Sequence, residues 1–190
     1  MYKGEVCIRS STNTYNQTLL AAIVTHEGEA AATEWAQGIV DNMARAPQGG
    51  DTDQLRGIVS GECGIAVSNT YYFARAIRKD VSGVSADIAK ITPVFPDQDG
   101  NGAHMNLSGG GVAKHAPNRE NAVKFLEYLA SETAQQYFSA GNDEYPTVAG
   151  IALADSVNQL GEFKADDVNL SEVALNIPTA QKIFDKVGWE

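Results

Sequence analysis

The chain has 190 residues, of which 43% are hydrophobic, and this is enough to bury the core of one large or two small domains. It carries 24 acidic and 14 basic residues, so its formal net charge is −10. Binding a phosphate backbone requires a basic surface, and the acidic balance therefore argues against nucleic acid as a partner. No apolar run reaches the roughly 18 residues that a membrane helix needs, and residues 1–9 lack a charged segment followed by an apolar one. We therefore expect a globular protein that does not span a membrane and shows no export signal in this sequence.

The two cysteines, Cys7 and Cys63, do not form a Cys-x-x-Cys pair, so nothing in the sequence indicates a zinc ribbon or a thioredoxin-like site. Both lie in short segments typical of β-strands. If these segments are neighbouring strands, the thiols can form a disulfide, which would persist only in an oxidising compartment. Two buried, reduced thiols are the alternative.

The first part of the chain twice shows a strand followed by a polar turn and a helix. Residues 5–8 are predicted to form a strand, and apolar residues at helical spacing predict two helices within 15–24 and 30–43. Asp51 is predicted as the N-cap of a third helix. A second strand is predicted at 64–68, and a helix follows from Tyr71. In α/β folds, ligands bind at such polar loops at the ends of strands.

The second part is predicted to be extended in its middle and helical towards its end. Strands are expected at 91–95, 104–107 and 111–113. The strongest helical periodicity of the chain follows Pro117, and a further helix begins at Ser131. Two apolar segments, the second predicted to be helical, occupy 168–175 and 180–187. Together these elements predict an α/β architecture with more than one layer.

Three tyrosines follow the two predicted strands. Tyr71 and Tyr72 come directly after the second strand, and Tyr15 occupies the equivalent position after the first. Neighbouring strands would bring both turns to one edge of a sheet. Taken alone, however, an adjacent tyrosine pair is most often one buried ring and one surface ring, and the spacing does not decide between a site and simple packing.

A longer string of residues around these tyrosines resembles the ferric-iron-binding proteins of bacterial iron ABC transporters. The resemblance covers most of the chain and is specific in order and spacing. It is carried by residues 7–17, 49–54, 68–72, 95–100, 113–122 and 142–146. It implies a class II periplasmic binding protein fold, with one complete α/β lobe and part of a second lobe.

The resemblance also implies how the chain divides between the two lobes. Residues 1–93 would form the tyrosine-bearing second lobe, 94–150 would return to the first lobe, and 151–190 would make a helical return to the second. The family's amino-terminal lobe would precede Met1, so the match is expected to be amino-terminally truncated. Apolar surface would then be exposed and would favour self-association. The residues expected at this surface are Phe95, Leu107, Phe125 and Leu126.

By the same resemblance, Fe³⁺ would be bound by the phenolates of Tyr15, Tyr71 and Tyr72. Fe³⁺ is a hard, highly charged acid that prefers anionic oxygen, and three phenolates match its charge. Family members with a tyrosine at the first position tend to bind iron without depending on an added anion, whereas others recruit carbonate or phosphate. We therefore favour direct protein ligation, with carbonate as the candidate additional anion.

The family resemblance implies that the protein is periplasmic and delivers iron to an inner-membrane ABC permease in its full-length form. Further ligands, commonly a histidine or another tyrosine, would come from the amino-terminal lobe. His26, His104 and His115 match none of these positions and are interpreted as structural or solvated.

Three polar residues beside the tyrosines are candidates for supporting roles. Arg9 and Asn13 could donate hydrogen bonds to phenolate oxygens or to a bound anion. The alternatives are a surface ion pair for Arg9 and a left-handed turn residue for Asn13. Asn69 could be either a helix N-cap or a donor to the site.

Other functions have weaker support from the sequence. Neither Ser10 nor Ser108 stands in a Gly-x-Ser-x-Gly motif, so we do not expect an enzyme. The run at 109–111, Gly-Gly-Gly, lacks the lysine of a phosphate loop and is predicted to form a tight hinge turn. The remaining alternatives are a binding protein of the same fold for a small anion or organic acid, and a self-associating domain without an iron function.

Overall fold

The computed structural model describes residues 2–190 and contains two short strands, seven α-helices and one 3-10 helix within them. In chain order these are β1 Val6–Cys7, α1 Thr14–Asp41, α2 Asp51–Ser60, β2 Ile65–Ala66, α3 Thr70–Arg78, the 3-10 helix Ser85–Lys90, α4 Arg119–Leu129, α5 Glu132–Asn142, α6 Asp155–Asn158 and α7 Leu170–Val187. None of the helices between residues 2 and 190 is long and apolar enough to cross a membrane.

The two predicted strands pair with each other, which is the arrangement that a disulfide between Cys7 and Cys63 requires. β1 and β2 are parallel, with Val6 opposite Ile65 and Cys7 opposite Ala66. Parallel strands require a crossover, and α1 and α2 provide it. Cys7 is joined by a disulfide to Cys63, just before β2, and their Cα atoms are 5.9 Å apart. The disulfide, and not the pair of reduced thiols, is therefore the state that the structure contains.

The long element α1 consists of the two helices that the periodicity predicts. It is interrupted at Gly28, whose φ of 82° and ψ of 168° are not helical and suit a residue without a Cβ atom. The main core lies between α1 and α7, with β1 at its edge. Its fully buried side chains include Ile8, Leu20, Ile183 and Phe184, each no more than 1% exposed.

Helix α2 begins one residue earlier than expected. Gly50 is the N-cap and Asp51 is the first helical residue, so the prediction that Asp51 caps the helix is wrong. The backbone N–H of Gly50 donates instead to Asp53 at 2.7 Å. Because the Asp53 side chain accepts from the N-cap, the carboxylate of Asp51 is free for contacts outside the helix.

The predicted strands at 91–95, 104–107 and 111–113 are not present, and these predictions are wrong. Pro93 and Pro96 cannot donate backbone hydrogen bonds, which disfavours the first of these strands. Close to the second, only Ala103 makes a parallel bridge, to Ala165. The three glycines at 109–111 form neither a turn nor a left-handed conformation, so the predicted hinge turn is also wrong.

The part of the chain that contains α4 exposes much of its apolar surface. Helix α4 has no buried residue, and Phe125 is 58% and Leu107 60% exposed. The expectation of exposed apolar surface holds for these two side chains. It does not hold for Phe95, which is half-buried because its ring stacks on Phe163 at a centroid distance of 4.1 Å, and Leu126 is half-buried as well.

A second, smaller packed region lies around α3 and α6. Ala74, Val157 and Leu160 form its apolar centre. Asp143 is fully buried beside it and accepts hydrogen bonds from Arg78 Nε at 2.7 Å and from Ser156 Oγ at 2.8 Å. A buried carboxylate is stable only when it is paired in this way.

Candidate metal centre

The pairing of β1 with β2 brings the tyrosine-bearing loops to one edge of the sheet. Tyr15 lies in the first turn of α1, which follows β1, and Tyr71 and Tyr72 lie in the first turn of α3, which follows β2. We call Tyr71 and Tyr72 the tyrosine pair. Because both strands run in the same direction, their carboxyl ends and the helices that follow them lie side by side.

All three phenol rings meet at this edge. The hydroxyl oxygens of Tyr15 and Tyr71 are 2.7 Å apart, a normal hydrogen-bond distance between hydroxyls. The rings of Tyr71 and Tyr72 are neighbours, with centroids 4.3 Å apart and planes inclined by 31°. All three residues are half-buried, so the pair does not follow the usual arrangement of one buried and one surface ring.

Two arginines lie beside these rings. The guanidinium carbon of Arg9 is 5.5 Å from the ring centroid of Tyr15, and that of Arg75 is 5.5 Å from the centroids of both Tyr71 and Tyr72. A guanidinium at this distance is attracted by a neutral ring and would stabilise a phenolate more strongly, because the full charges then attract. Two guanidinium groups thus lie beside the phenols, although Arg9 is itself paired with Asp51.

The Tyr71 phenol is strongly biased towards its neutral form. Burial raises the pKa of Tyr71 far above the ordinary value of a phenol, and the hydrogen bond with Tyr15 raises it further. At neutral pH the Tyr71 hydroxyl therefore carries its proton. A cation that binds the Tyr71 oxygen as a ligand must displace that proton.

The three predicted supporting residues are all close to the tyrosines, in different roles. Asn13 is the N-cap of α1 in extended conformation, and its side chain accepts from the Tyr15 backbone N–H at 3.0 Å, so the left-handed alternative is wrong. Asn69 occupies the N-cap position of α3 without a capping hydrogen bond from its side chain. Arg9 forms an ion pair with Asp51, but this pair is largely buried and does not lie on the surface.

Two donors next to the tyrosines lack acceptors. The Nε atom of Arg9 and the Nδ2 atom of Asn69 are buried and make no hydrogen bond. Buried polar groups are normally satisfied, so these two atoms are available to donate to an acceptor that enters the site.

The histidines contact other parts of the chain. His26 Nε2 is 2.9 Å from Asp166 Oδ2, and His104 Nε2 is 3.4 Å from Thr18 Oγ1. His115 is exposed. Within residues 2–190 there is no group of three or more histidine, cysteine, aspartate or glutamate side chains arranged to hold a metal ion. Two surface depressions, of about 520 and 360 Å³, lie near Ile77 and Arg78 at the opposite end of α3.

Sequence reasoning missed two residues of this region. Arg75 was not singled out, although its position three and four residues after the tyrosine pair places it on the same face of a helix, and this spacing could have indicated it. Asp51 was interpreted only as a helix cap. Its contacts to Arg9 and Asn69 depend on how α2 packs against both loops, which no local pattern reveals.

Solved structures of the same fold define the class of protein. The structure matches a ferric binding protein from Campylobacter jejuni with a TM-score of 0.94 and 37% identity. The match covers 100% of this chain and 60% of that one. It matches equally well, at a TM-score of 0.94 and 46% identity, a Trichodesmium protein (IdiA, FutA) in complex with iron and citrate ligands, again covering 100% and 60% of the two chains. The fold is that of a class II periplasmic binding protein, with one lobe and part of another.

The chain belongs to the bacterial extracellular solute-binding protein family, whose model matches residues 1–166. This is a family of binding proteins and not of enzymes. Among curated relatives, iron uptake protein A1 of Synechocystis sp. is 45% identical over 189 residues, which cover 100% of this chain and 52% of the relative. The major ferric iron-binding protein of Neisseria meningitidis is 29% identical over 172 residues, covering 90% and 50%. The chain thus spans about half the length of the curated relatives it matches.

Proposed function

We propose that this chain carries the iron-binding tyrosines of a substrate-binding protein in an ABC-type iron uptake system. Fe³⁺ is the substrate, and the phenolates of Tyr15, Tyr71 and Tyr72 are its ligands from this chain. The observation that carries the proposal is the distance of 2.7 Å between the hydroxyls of Tyr15 and Tyr71, beside the ring of Tyr72. Tyrosines from two separate loops thereby present their oxygens to one point.

The chemistry of this donor set favours a ferric ion. Three phenolates supply three negative charges on hard oxygen atoms, which neutralise one Fe³⁺ and overcompensate a divalent ion. Arg9 and Arg75, each 5.5 Å from a tyrosine ring, would stabilise the phenolates while they form. Because Tyr71 starts as a protonated phenol, iron binding releases a proton there, and the affinity for Fe³⁺ is expected to rise with pH.

The unsatisfied donors support a role for an additional anion. Arg9 Nε and Asn69 Nδ2 could donate to a bound carbonate or to a phenolate oxygen. The Trichodesmium protein of the same fold forms a complex with iron and citrate ligands, so binding of both a metal and an oxyanion is compatible with this fold. In this proposal the tyrosines bind the metal directly, and an anion is an additional ligand beside them.

The setting of the whole protein follows from its relatives. One relative is an Fe(3+)-binding periplasmic protein of Serratia marcescens, and we infer a periplasmic location and delivery of iron to an inner-membrane ABC permease. Because the chain spans about half the length of these relatives, further ligands would come from residues outside it. We also infer that the exposed apolar surface near Phe125 and Leu107 promotes self-association of this chain alone.

The direct test is a visible absorption titration of the purified chain with chelated Fe³⁺. Phenolate-to-iron charge transfer gives a strong visible band, which we expect to appear and to weaken in Tyr71→Phe and in Tyr15→Phe. Tyr137→Phe is the matched control, because Tyr137 is 69% exposed on α5 and should leave the band unchanged. A band of equal intensity in all variants would contradict the proposal. So would the absence of a band in the wild-type chain after the region that only the full-length relatives contain has been added to it.

A further inference from the structure

Asp51 joins the two loops that carry the tyrosines. It is only 2% exposed and is the first residue of α2. Its Oδ2 atom accepts from Arg9 Nη1 at 2.5 Å, and its Oδ1 atom accepts from the backbone N–H of Asn69 at 2.8 Å. Arg9 lies in the loop that leads to Tyr15, and Asn69 directly precedes the helix that carries the tyrosine pair. A single buried carboxylate therefore spans both loops.

The backbone does not hold these loops together beyond the strands. The last backbone hydrogen bond between them runs from Val67 N–H to Cys7 O at 3.1 Å. Past that point, the part of the chain that the structure describes has no backbone hydrogen bond between residues 8–13 and 68–69. The separation of the loops where the tyrosines begin is thus set by side chains, and Asp51 contacts both.

The two contacts of Asp51 are of different kinds, and both resist displacement. Hydrogen bonds to a charged carboxylate are about twice as strong as those between neutral groups. The position of Asp51 in the first turn of α2 adds the favourable field of a helix N-terminus. Since Arg9 neutralises the carboxylate, the pair orients the loops without adding net charge beside the phenols.

We infer that Asp51 is a positioning residue, which sets the separation of the Tyr15 and Tyr71 hydroxyls and fixes the guanidinium of Arg9 beside the Tyr15 ring. Its importance for iron binding depends on the proposed function, but its control of the loop geometry does not. In Asp51→Asn the amide oxygen can accept from Arg9 or from the Asn69 N–H, and the NH₂ group then faces the other donor, so both contacts cannot persist together.

Asp53 offers a matched control for a purely structural effect. It lies in the same first turn of α2 and accepts from the Gly50 N–H at 2.7 Å and from Arg56 Nη1 at 2.6 Å. The Asp53 side chain is not bonded to either tyrosine-bearing loop. Asp53→Asn therefore removes a paired carboxylate from the same helix turn while leaving the loops joined.

The experiment has one arm without iron and one with it. In the metal-free protein, nuclear Overhauser contacts between the Tyr15 and Tyr71 rings are measured by NMR on chain labelled with ¹³C in its tyrosines. We expect these contacts in the wild-type protein and in Asp53→Asn, and their loss in Asp51→Asn. In the second arm, Asp51→Asn should bind Fe³⁺ at least tenfold more weakly, with lower visible absorbance per bound iron at saturation, whereas Asp53→Asn should match the wild type.

The two arms separate failure of this inference from failure of the iron proposal. Retained ring contacts in a folded Asp51→Asn protein would overturn the positioning role, whatever the iron titration gives. Equal loss of contacts in Asp53→Asn would overturn it too, because the effect would then be general loosening of α2. Loss of contacts confined to Asp51→Asn would support the positioning role. If the wild type also gives no visible band after the region that only the full-length relatives contain is restored, iron is rejected as the ligand.

Discussion

Helices α1, α7 and α4 each have an apolar face, but α1 and α7 pack these faces differently from α4. The first two bury theirs against each other, and Phe184 of α7 is completely buried. Helix α4 has no buried residue, and its Phe125 is 58% exposed. Periodicity thus predicts a helix with a face suited to a partner, but it does not show that the partner lies in the same chain. The curated relatives contain roughly twice as many residues as this chain.

The largest difference between the two regions should be in the free energy of unfolding. Phe184→Ala removes a fully buried ring and leaves a cavity, and we expect it to lower stability by about 4 kcal/mol. Phe125→Ala should change stability by less than about 0.5 kcal/mol, because the ring is mostly in solvent already. Urea denaturation followed by circular dichroism measures both. Similar losses in the two variants would mean that Phe125 is buried in solution.

The secondary structure was predictable where local rules are strong. Helical spacing predicted both arms of α1 as well as α4. The predicted strand at 91–95 failed, because apolar residues there are interrupted by prolines that cannot join a sheet. Strand prediction also depends on a neighbouring strand, which a single segment does not reveal.

The candidate site was predictable in part. The positions of Tyr15 and of the tyrosine pair after equivalent strands indicated one edge of a sheet, and the structure places the three rings together there. The contacts of Asp51 could not be predicted, because they depend on tertiary packing. Arg9 is 42 positions and Asn69 is 18 positions away in the sequence. The role of the three tyrosines as metal ligands came from the family resemblance and stays a prediction.

An intermediate effect on stability is expected at Asp143, which lies at the end of α5 and accepts a hydrogen bond from Arg78 of α3. Burial alone would raise the pKa of Asp143, but the hydrogen bonds from Arg78 and Ser156 outweigh it and hold the pKa below its usual value. Asp143→Asn should lower stability at pH 7 by about 2 kcal/mol, since hydrogen bonds to a charged partner are lost while Arg78 can still reach solvent.

The pH dependence of this effect has a definite sign. A carboxylate with a depressed pKa in the folded state stabilises the protein above its unfolded pKa of about 3.9 and loses this contribution as the pH falls through the folded value. The difference between wild type and Asp143→Asn should therefore be full near pH 6 and shrink below about pH 4. Thermal melts from pH 7 to pH 3 measure it, and a difference that does not vary with pH would exclude the ionised pair as its cause.

The smallest effect concerns association of the α4 region, for which we expect weak, concentration-dependent oligomers. Phe125, Leu107 and Val94 are 58%, 60% and 81% exposed, and burying such side chains between copies would release about 25 cal/mol per Å² of apolar surface. Phe125→Lys should shift the chain towards monomer in sedimentation velocity without changing its stability. Leu175→Lys is the control, because Leu175 is equally apolar and 79% exposed but lies on α7, in the region whose core is complete. If both lysine variants reduce association to the same extent, the oligomers form through general surface hydrophobicity, and the contrast between the two regions does not extend to association.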